Sequence, residues 1–238
     1  MTPGKAKRLL LPALCVLGLI LFTALGIWQV ERRIWKLKLI ARVSERISAT
    51  AVAPPDASSW ASLGPNLVEY RRVATTGRFL HDKETLVDAL TERGPGWWVL
   101  TPLQTDAGTI LVNRGFVPPD KAVPPTRASG QLDGVVRVEG LLRLSEPGGR
   151  FLRPNRPAEN RWYSRDVAAI ATARQIAHVA PYFIDAGPKR NPGGLPNGGM
   201  TVVQFRNTHL IYALTWFGLA VLSLIGLVLV RKGGHAPP

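Results

Sequence analysis

Two uninterrupted apolar runs constrain this chain more than any other feature: Leu9–Val30, LLLPALCVLGLILFTALGIWQV, and Leu210–Val230, LIYALTWFGLAVLSLIGLVLV. Neither contains a charge. At about 1.5 Å per helical residue they reach roughly 33 and 31 Å, enough to cross a hydrocarbon core of about 30 Å. A helix in a soluble core rarely needs apolar residues on every face. Trp28 lies near the end of the first run, and Tyr212 and Trp216 near the start of the second, where interfacial aromatics belong. A cleaved signal peptide is the rival reading of the first run, with Lys5, Lys7 and Arg8 as its basic end and Ala24-Leu25-Gly26 as a small-x-small site. The length of the run argues against it, because a signal-peptide core is about 7–15 residues long.

The expected class is therefore a membrane protein. Two transmembrane α-helices, 9–30 and 210–230, flank one α+β, predominantly antiparallel-strand domain outside the membrane. Short tails at 1–8 and 231–238 complete the chain. Residues 53–209 are expected to form one domain, since no shift in composition marks a second core. The net charge of +14 raises the question of nucleic acid. The basic residues are dispersed, however, and many flank the spans: Lys5, Lys7, Arg8, Arg32, Arg33, Lys36, Lys38, Arg42, Arg231 and Lys232. Cations in those places contact anionic headgroups, and no zinc spacing or nucleic-acid-binding signature accompanies them. Membrane lipids, rather than nucleic acid, are the expected partner of this charge. The single cysteine, Cys15, lies inside the first run and is silent about redox compartment.

Beyond the first span, 31–52 reads as a helix continuing out of the membrane. Val30, Ile34, Leu37, Ile40 or Ala41, Ser44 and Ile47 recur at helical spacing between basic residues. Its plain role is to dock on the domain or lie on headgroups. After the break at Ala53–Ser59, strand-like runs follow at Tyr70–Phe79, Glu84–Ala89, Trp97–Gln104, Thr109–Phe116, Gly134–Leu144 and Tyr182–Ala186. Gly94-Pro95-Gly96, Asp106-Ala107-Gly108 and Pro118-Pro119-Asp120 punctuate them as turns, and Thr105–Gly108 predicts a hairpin. One helix is expected at Asp166–Ala177, with Ser164 or Arg165 near its cap.

Catalytic chemistry is hard to find. The four histidines, His81, His178, His209 and His235, form no pair with metal-ligand spacing. GxSxG, the P-loop and GxGxxG are absent. No enzyme activity is therefore expected. One residue stands out, His209, at the water-to-lipid boundary of the second span. Tyr212, Ala213 and Trp216 follow at +3, +4 and +7 and so share its helical face. A neutral imidazole there can serve as an axial ligand to haem iron, with an apolar face beside it for the porphyrin edge. Snorkelling at the interface is the plainer alternative. Gln29, near the end of the first span, reads as an interfacial or helix–helix contact. Arg150, Arg153, Arg156, Arg161 and Arg165 read as a solvated basic face.

Five segments in order carry a resemblance: Gly26–Lys36 (GIWQVERRIWK), Thr101–Pro118 (TPLQTDAGTILVNRGFVP), Asn160–Ala171 (NRWYSRDVAAIA), Pro181–Pro188 (PYFIDAGP) and Arg206–Ala220 (RNTHLIYALTWFGLA). With the two spans, they resemble the surfeit-locus family of cytochrome c oxidase assembly factors, over Gly26 to Ala220. The resemblance implies a bacterial inner membrane protein with cytoplasmic termini and a periplasmic domain. It implies a cytochrome c oxidase biogenesis factor that binds haem a transiently and assists its insertion into oxidase subunit I. Haem a synthase is a further possible partner. It also places the axial ligand at His209, and the helical spacing already noted then sets Tyr212 and Trp216 beside the cofactor; Thr208 stands where many relatives have Asn or Ser. Asn113-Arg114-Gly115 matches as well and reads as a turn. The alternative function is a scaffold that stabilises an oxidase assembly intermediate and binds no haem.

Overall fold

The computed structural model describes residues 3–64, 69–201, 205 and 207–233, with side chains from Leu10 onward. The side chains of Lys5, Lys7 and Arg8, together with Arg206 and His235, lie outside the described residues. The chain forms two compact units: residues 43–203, and a helical unit made from the segments before and after them.

The helical unit is built from α1 (Pro3–Ser48) and the C-terminal helix (His209–Gly233). Both are long and apolar enough to cross a membrane. The chain is thus a membrane protein whose two apolar helices flank a mostly strand domain. The first apolar run and the basic segment after it form one continuous helix, which ends at Ser48. In that segment Ile34 and Leu37 are exposed, whereas Gly26 and Gln29 are buried and Arg33 and Lys36 half-buried. Hydrophobic spacing beyond a membrane span thus marks a surface here, and the packed stripe lies on the face of Gln29.

In the other unit, six strands form one sheet in the order β1-β5-β8-β4-β3-β2. The strands are β1 (Arg72–Phe79), β2 (Thr85–Thr91), β3 (Gly94–Thr105), β4 (Gly108–Val117), β5 (Val135–Leu144) and β8 (Val179–Ala186). Each expected strand is present. β6 (Gly149–Arg150) and β7 (Arg153–Pro154) form a small separate hairpin. β3 and β4 make the expected hairpin, with Thr105 opposite Gly108. The sheet is predominantly antiparallel, as expected, and one feature departs from expectation. Gly94-Pro95-Gly96 opens β3 and pairs with Ala89–Thr91 rather than forming a turn. β8 runs parallel to β4, although its other neighbour, β5, is antiparallel.

The sheet also closes on itself. Arg78 and Phe79, at the end of β1, pair with Gln104 and Leu103 of β3, so β1, β5, β8, β4 and β3 form a ring. Closure covers the β1 edge, leaves β2 outside the ring on β3, and creates an interior. Val73, Leu103, Ile110, Val112, Leu142, Tyr182 and Ile184 fill it. The alternate residues Leu111 and Phe183 face outward and pack with Val87, Leu100, Trp162, Val167 and Ile170. Because β4 and β8 are buried on both faces, they read as continuous apolar runs rather than alternating ones.

The covering helix, α2 (Val167–Ala173), is shorter than expected at its C-terminal end. Asp166 is its cap, rather than Ser164 or Arg165: one oxygen accepts from the Ala169 amide at 3.1 Å and the other from the Gly148 amide at 2.9 Å. The C-terminal helix, His209–Gly233, is α3.

Candidate functional site

Within the helical unit α1 and α3 run antiparallel, as the order of their contacts shows. Lys36 lies over the Phe205 ring at 5.3 Å, Gln29 meets His209, and Phe22 stacks on Trp216 at 5.7 Å between centroids. Gly18 then faces Ser223, and Cys15 faces Gly226. Contact positions on each helix recur every three or four residues, the spacing of a helix–helix seam. Gly26 is needed for the close approach, because a Cβ there would sit 2.5 Å from Phe217 Cε1. Ala213 and Ala220 are the small buried residues of α3.

His209 is the first residue of α3. Its Nδ1 donates to Oε1 of Gln29 over 2.8 Å. Gln29 is buried and has a polar amide in an apolar helix pair, so a partner offsets a desolvation cost of a few kcal/mol. The bond also fixes the tautomer. With the proton on Nδ1, the Nε2 lone pair is left for a ligand, and among the described residues no group is hydrogen-bonded to it. Trp216 lies on the same seam, half-buried against Phe22. Tyr212 does not: it is 54% exposed, so the shared face narrows to His209, Ala213 and Trp216. Gln29 is the partner that the spacing on α3 alone does not reveal.

These residues fit one imidazole ligand. No group of three or more His, Cys, Asp or Glu suited to a metal ion occurs among the described residues. His81 bonds the Leu132 carbonyl at 3.0 Å, in the other unit.

A second polar centre lies inside the strand domain. Asp185 of β8 is 3% exposed and accepts from Asn113 Nδ2 at 2.7 Å, Arg143 Nη1 at 3.0 Å, Arg165 Nη1 at 3.1 Å and Thr201 Oγ1 at 3.0 Å. Arg165 also binds Glu146. Burial alone would raise the Glu146 pKa, but the Arg165 hydrogen bond and charge outweigh it and hold that carboxyl below its ordinary range. Burial likewise opposes the Arg165 charge, and Asp185 and Glu146 more than restore it. Two arginines thus face Asp185 and Glu146, and Arg143 also reaches Glu69 at 3.6 Å. The cluster lines a pocket of about 560 Å³ beside Tyr70, Trp98 and Arg93.

This centre corrects two readings of the sequence. Arg165 is not part of a solvated basic face, although Arg156 is exposed and pairs with Glu159. Asn113-Arg114-Gly115 is not a turn but the middle of β4. Gly115 has φ +127°, and a Cβ there would overlap the Asn197 backbone, whose carbonyl accepts from the Phe116 amide at 3.0 Å. The signal for Asp185 was present, as a lone carboxylate closing the apolar run Tyr182-Phe183-Ile184. A charge inside a strand that reads as buried requires partners.

Comparison with known proteins adds the lineage. The family model described as "SURF1 family" matches residues 16–221, which include the strand domain and part of each long helix. The chain belongs to the SURF1 family. It is 40% identical over 234 residues to the SURF1-like protein of Monosiga brevicollis, covering 90% of this chain and 87% of that one. It is 43% identical over 226 residues to Surfeit locus protein 1 of Homo sapiens, covering 86% of this chain and 73% of that one. The SURF1-like protein of Caenorhabditis briggsae is 33% identical over 236 residues. Both Gln29 and His209 lie inside the stretch matched by the SURF1 family model.

Proposed function

We propose that this SURF1-family chain is a cytochrome c oxidase biogenesis factor that holds haem a at His209 and assists its insertion into oxidase subunit I. Family membership supports the coarser part, a role in cytochrome oxidase assembly. The finer part rests on one observation, the Gln29–His209 hydrogen bond. It orients an imidazole at the mouth of a helix pair with Nε2 unengaged, and it leaves apolar surface along α3 for a porphyrin edge. In this reading haem a is cargo. Gln29 holds the proton on Nδ1, Nε2 supplies the single ligand bond, and Trp216 against Phe22 keeps the seam closed behind it. One imidazole suits transfer better than two strong ligands, because only one bond must break on release.

The proposed setting is a bacterial inner membrane with both termini cytoplasmic and the strand domain periplasmic. Subunit I is the direct partner and haem a synthase the candidate donor. The test is purification from a host that makes haem a, with His209→Ala alongside. The expected result is a haem a spectrum in the wild type and its loss in the variant. Equal haem content in both would remove His209 from the mechanism. Wild-type protein without haem that still co-purifies with subunit I would favour a haem-free scaffold.

A further inference from the structure

Most buried charges of the strand domain pair with one another; Asp166 is held by backbone amides instead, and Arg114 is the buried cation without an ion pair among the described residues. Asp185 and Glu146 face Arg143 and Arg165. Arg127, also buried, forms a two-toothed pair with Glu84, Nη1 to Oε2 at 3.1 Å. Arg114 of β4 is 2% exposed and makes no ion pair among the described residues, although the charge of Glu84 acts on it from farther off. Its Nη2 donates to the Gly130 carbonyl and to Asn191 Oδ1 at 3.3 Å, and its guanidinium lies 4.8 Å from the Phe79 ring centroid. Its Nη1 is buried and has no acceptor among the described residues. Burial pushes its pKa down to about 10, so the cation is retained at neutral pH at a cost in desolvation. Native structures rarely leave such a donor unsatisfied without a functional reason.

Arg114 lines a pocket of about 980 Å³, at the upper end of the range for small-molecule sites. Part of its wall is the barrel interior itself, through Phe79, Val112 and Val138. The pocket is therefore a mouth of the closed barrel. Arg137, Lys189 and Arg190 lie at its exposed rim, and none of the three has an ion pair among the described residues. The two carboxylates that line it are already engaged, Glu139 by Arg72 at 2.6 Å and Asp185 by Arg143 and Arg165. An apolar cavity with a buried guanidinium whose Nη1 lacks an acceptor, and an unbalanced cationic rim, is complementary to one kind of molecule.

We infer that the barrel mouth binds an apolar molecule bearing a carboxylate, its acid paired with Arg114 and its hydrocarbon body against Phe79, Val112 and Val138. Nothing in this inference rests on His209 or on haem. A guanidinium fork matches a carboxylate in shape as well as charge, and the rim cations raise the rate of capture. Free fatty acids dissolved in the surrounding membrane have this chemistry.

The test uses the full chain in phosphatidylcholine nanodiscs, titrated with laurate labelled with ¹³C at the carboxyl carbon; empty nanodiscs serve as the blank and dodecanol as the uncharged control. The expected result is saturable laurate binding above the blank, absent for dodecanol. Arg114→Met should weaken it at least tenfold. Lys189→Glu with Arg190→Glu should weaken it severalfold while altering only exposed side chains, so the inference stays testable if Arg114→Met fails to fold. Laurate uptake no greater than the blank would overturn it. So would equal binding of dodecanol, or a rim variant that binds as well as the wild type.

Discussion

At the scale of single residues, the pair Gln29 and His209 offers the sharpest experiment. Replacing Gln29 by Leu keeps the bulk of the side chain but removes the acceptor for Nδ1. A group that orients a ligating histidine typically accounts for about 10–100-fold in metal affinity. Gln29→Leu should therefore lower haem a retention by about that factor without abolishing it, read as haem per protein after gel filtration. Full retention would show that the amide is only a packing contact. Gly115 makes a separate prediction. Its positive φ and the adjacent Asn197 backbone leave no place for a methyl group, so Gly115→Ala should cost about 1–3 kcal/mol in thermal unfolding of the domain. Tyr182 donates its phenol to the Pro55 carbonyl at 2.7 Å from inside the barrel. Tyr182→Phe should cost about 1 kcal/mol, the net value of one such bond.

At the scale of elements, β8 carries the charge that ties the domain's outer segments together. Its Asp185 reaches Asn113 on β4, Arg143 on β5, Arg165 just before α2, and Thr201 in the segment that follows. Asp185→Asn leaves two largely buried arginines facing only the partly exposed Glu146 and Glu69, and breaking a buried pair this way typically costs about 3–5 kcal/mol. The denaturant midpoint should fall accordingly, while substitution of the exposed Arg156 should leave it unchanged. Glu146 sets the pH dependence of the same cluster. Its carboxyl titrates below its ordinary value in the folded state, so the fold binds fewer protons there than the unfolded chain does. Its contribution is complete above the unfolded value near 4.5 and is lost as pH falls through the lower folded value. Melting temperatures measured from pH 6 to pH 3 should drop in that window, and Arg165→Gln should flatten the drop.

At the scale of the whole molecule, the two apolar helices predict that the chain stays with the membrane through alkaline carbonate extraction and is released only by detergent. These helices were the most legible part of the sequence, because a run without charges has few alternative readings. The strands were legible where β-branched and aromatic residues met turn residues, and misread where glycine and proline entered a strand, as at Gly94-Pro95-Gly96 in β3. Barrel closure was not legible at all. It depends on Arg78 and Phe79 finding Gln104 and Leu103, a pairing that no local pattern encodes. The partners of Asp185 were hidden for the same reason, since they come from four separate segments. His209 could be singled out from its position at a membrane boundary, but its partner could not, because helical spacing relates residues along one helix and not across two.

That partnership joins positions 180 residues apart, one on each of the two long helices. During synthesis the first helix is complete while most of the chain is still unmade, and Gln29 waits with its amide unpaired in an apolar helix. The histidine follows only with the second long helix. A chain truncated before position 209 would carry the whole strand domain and have no side chain from that helix to meet the Gln29 amide. The arrangement acts as a check on assembly: the Gln29–His209 bond forms only once the second long helix has been made and has found the first.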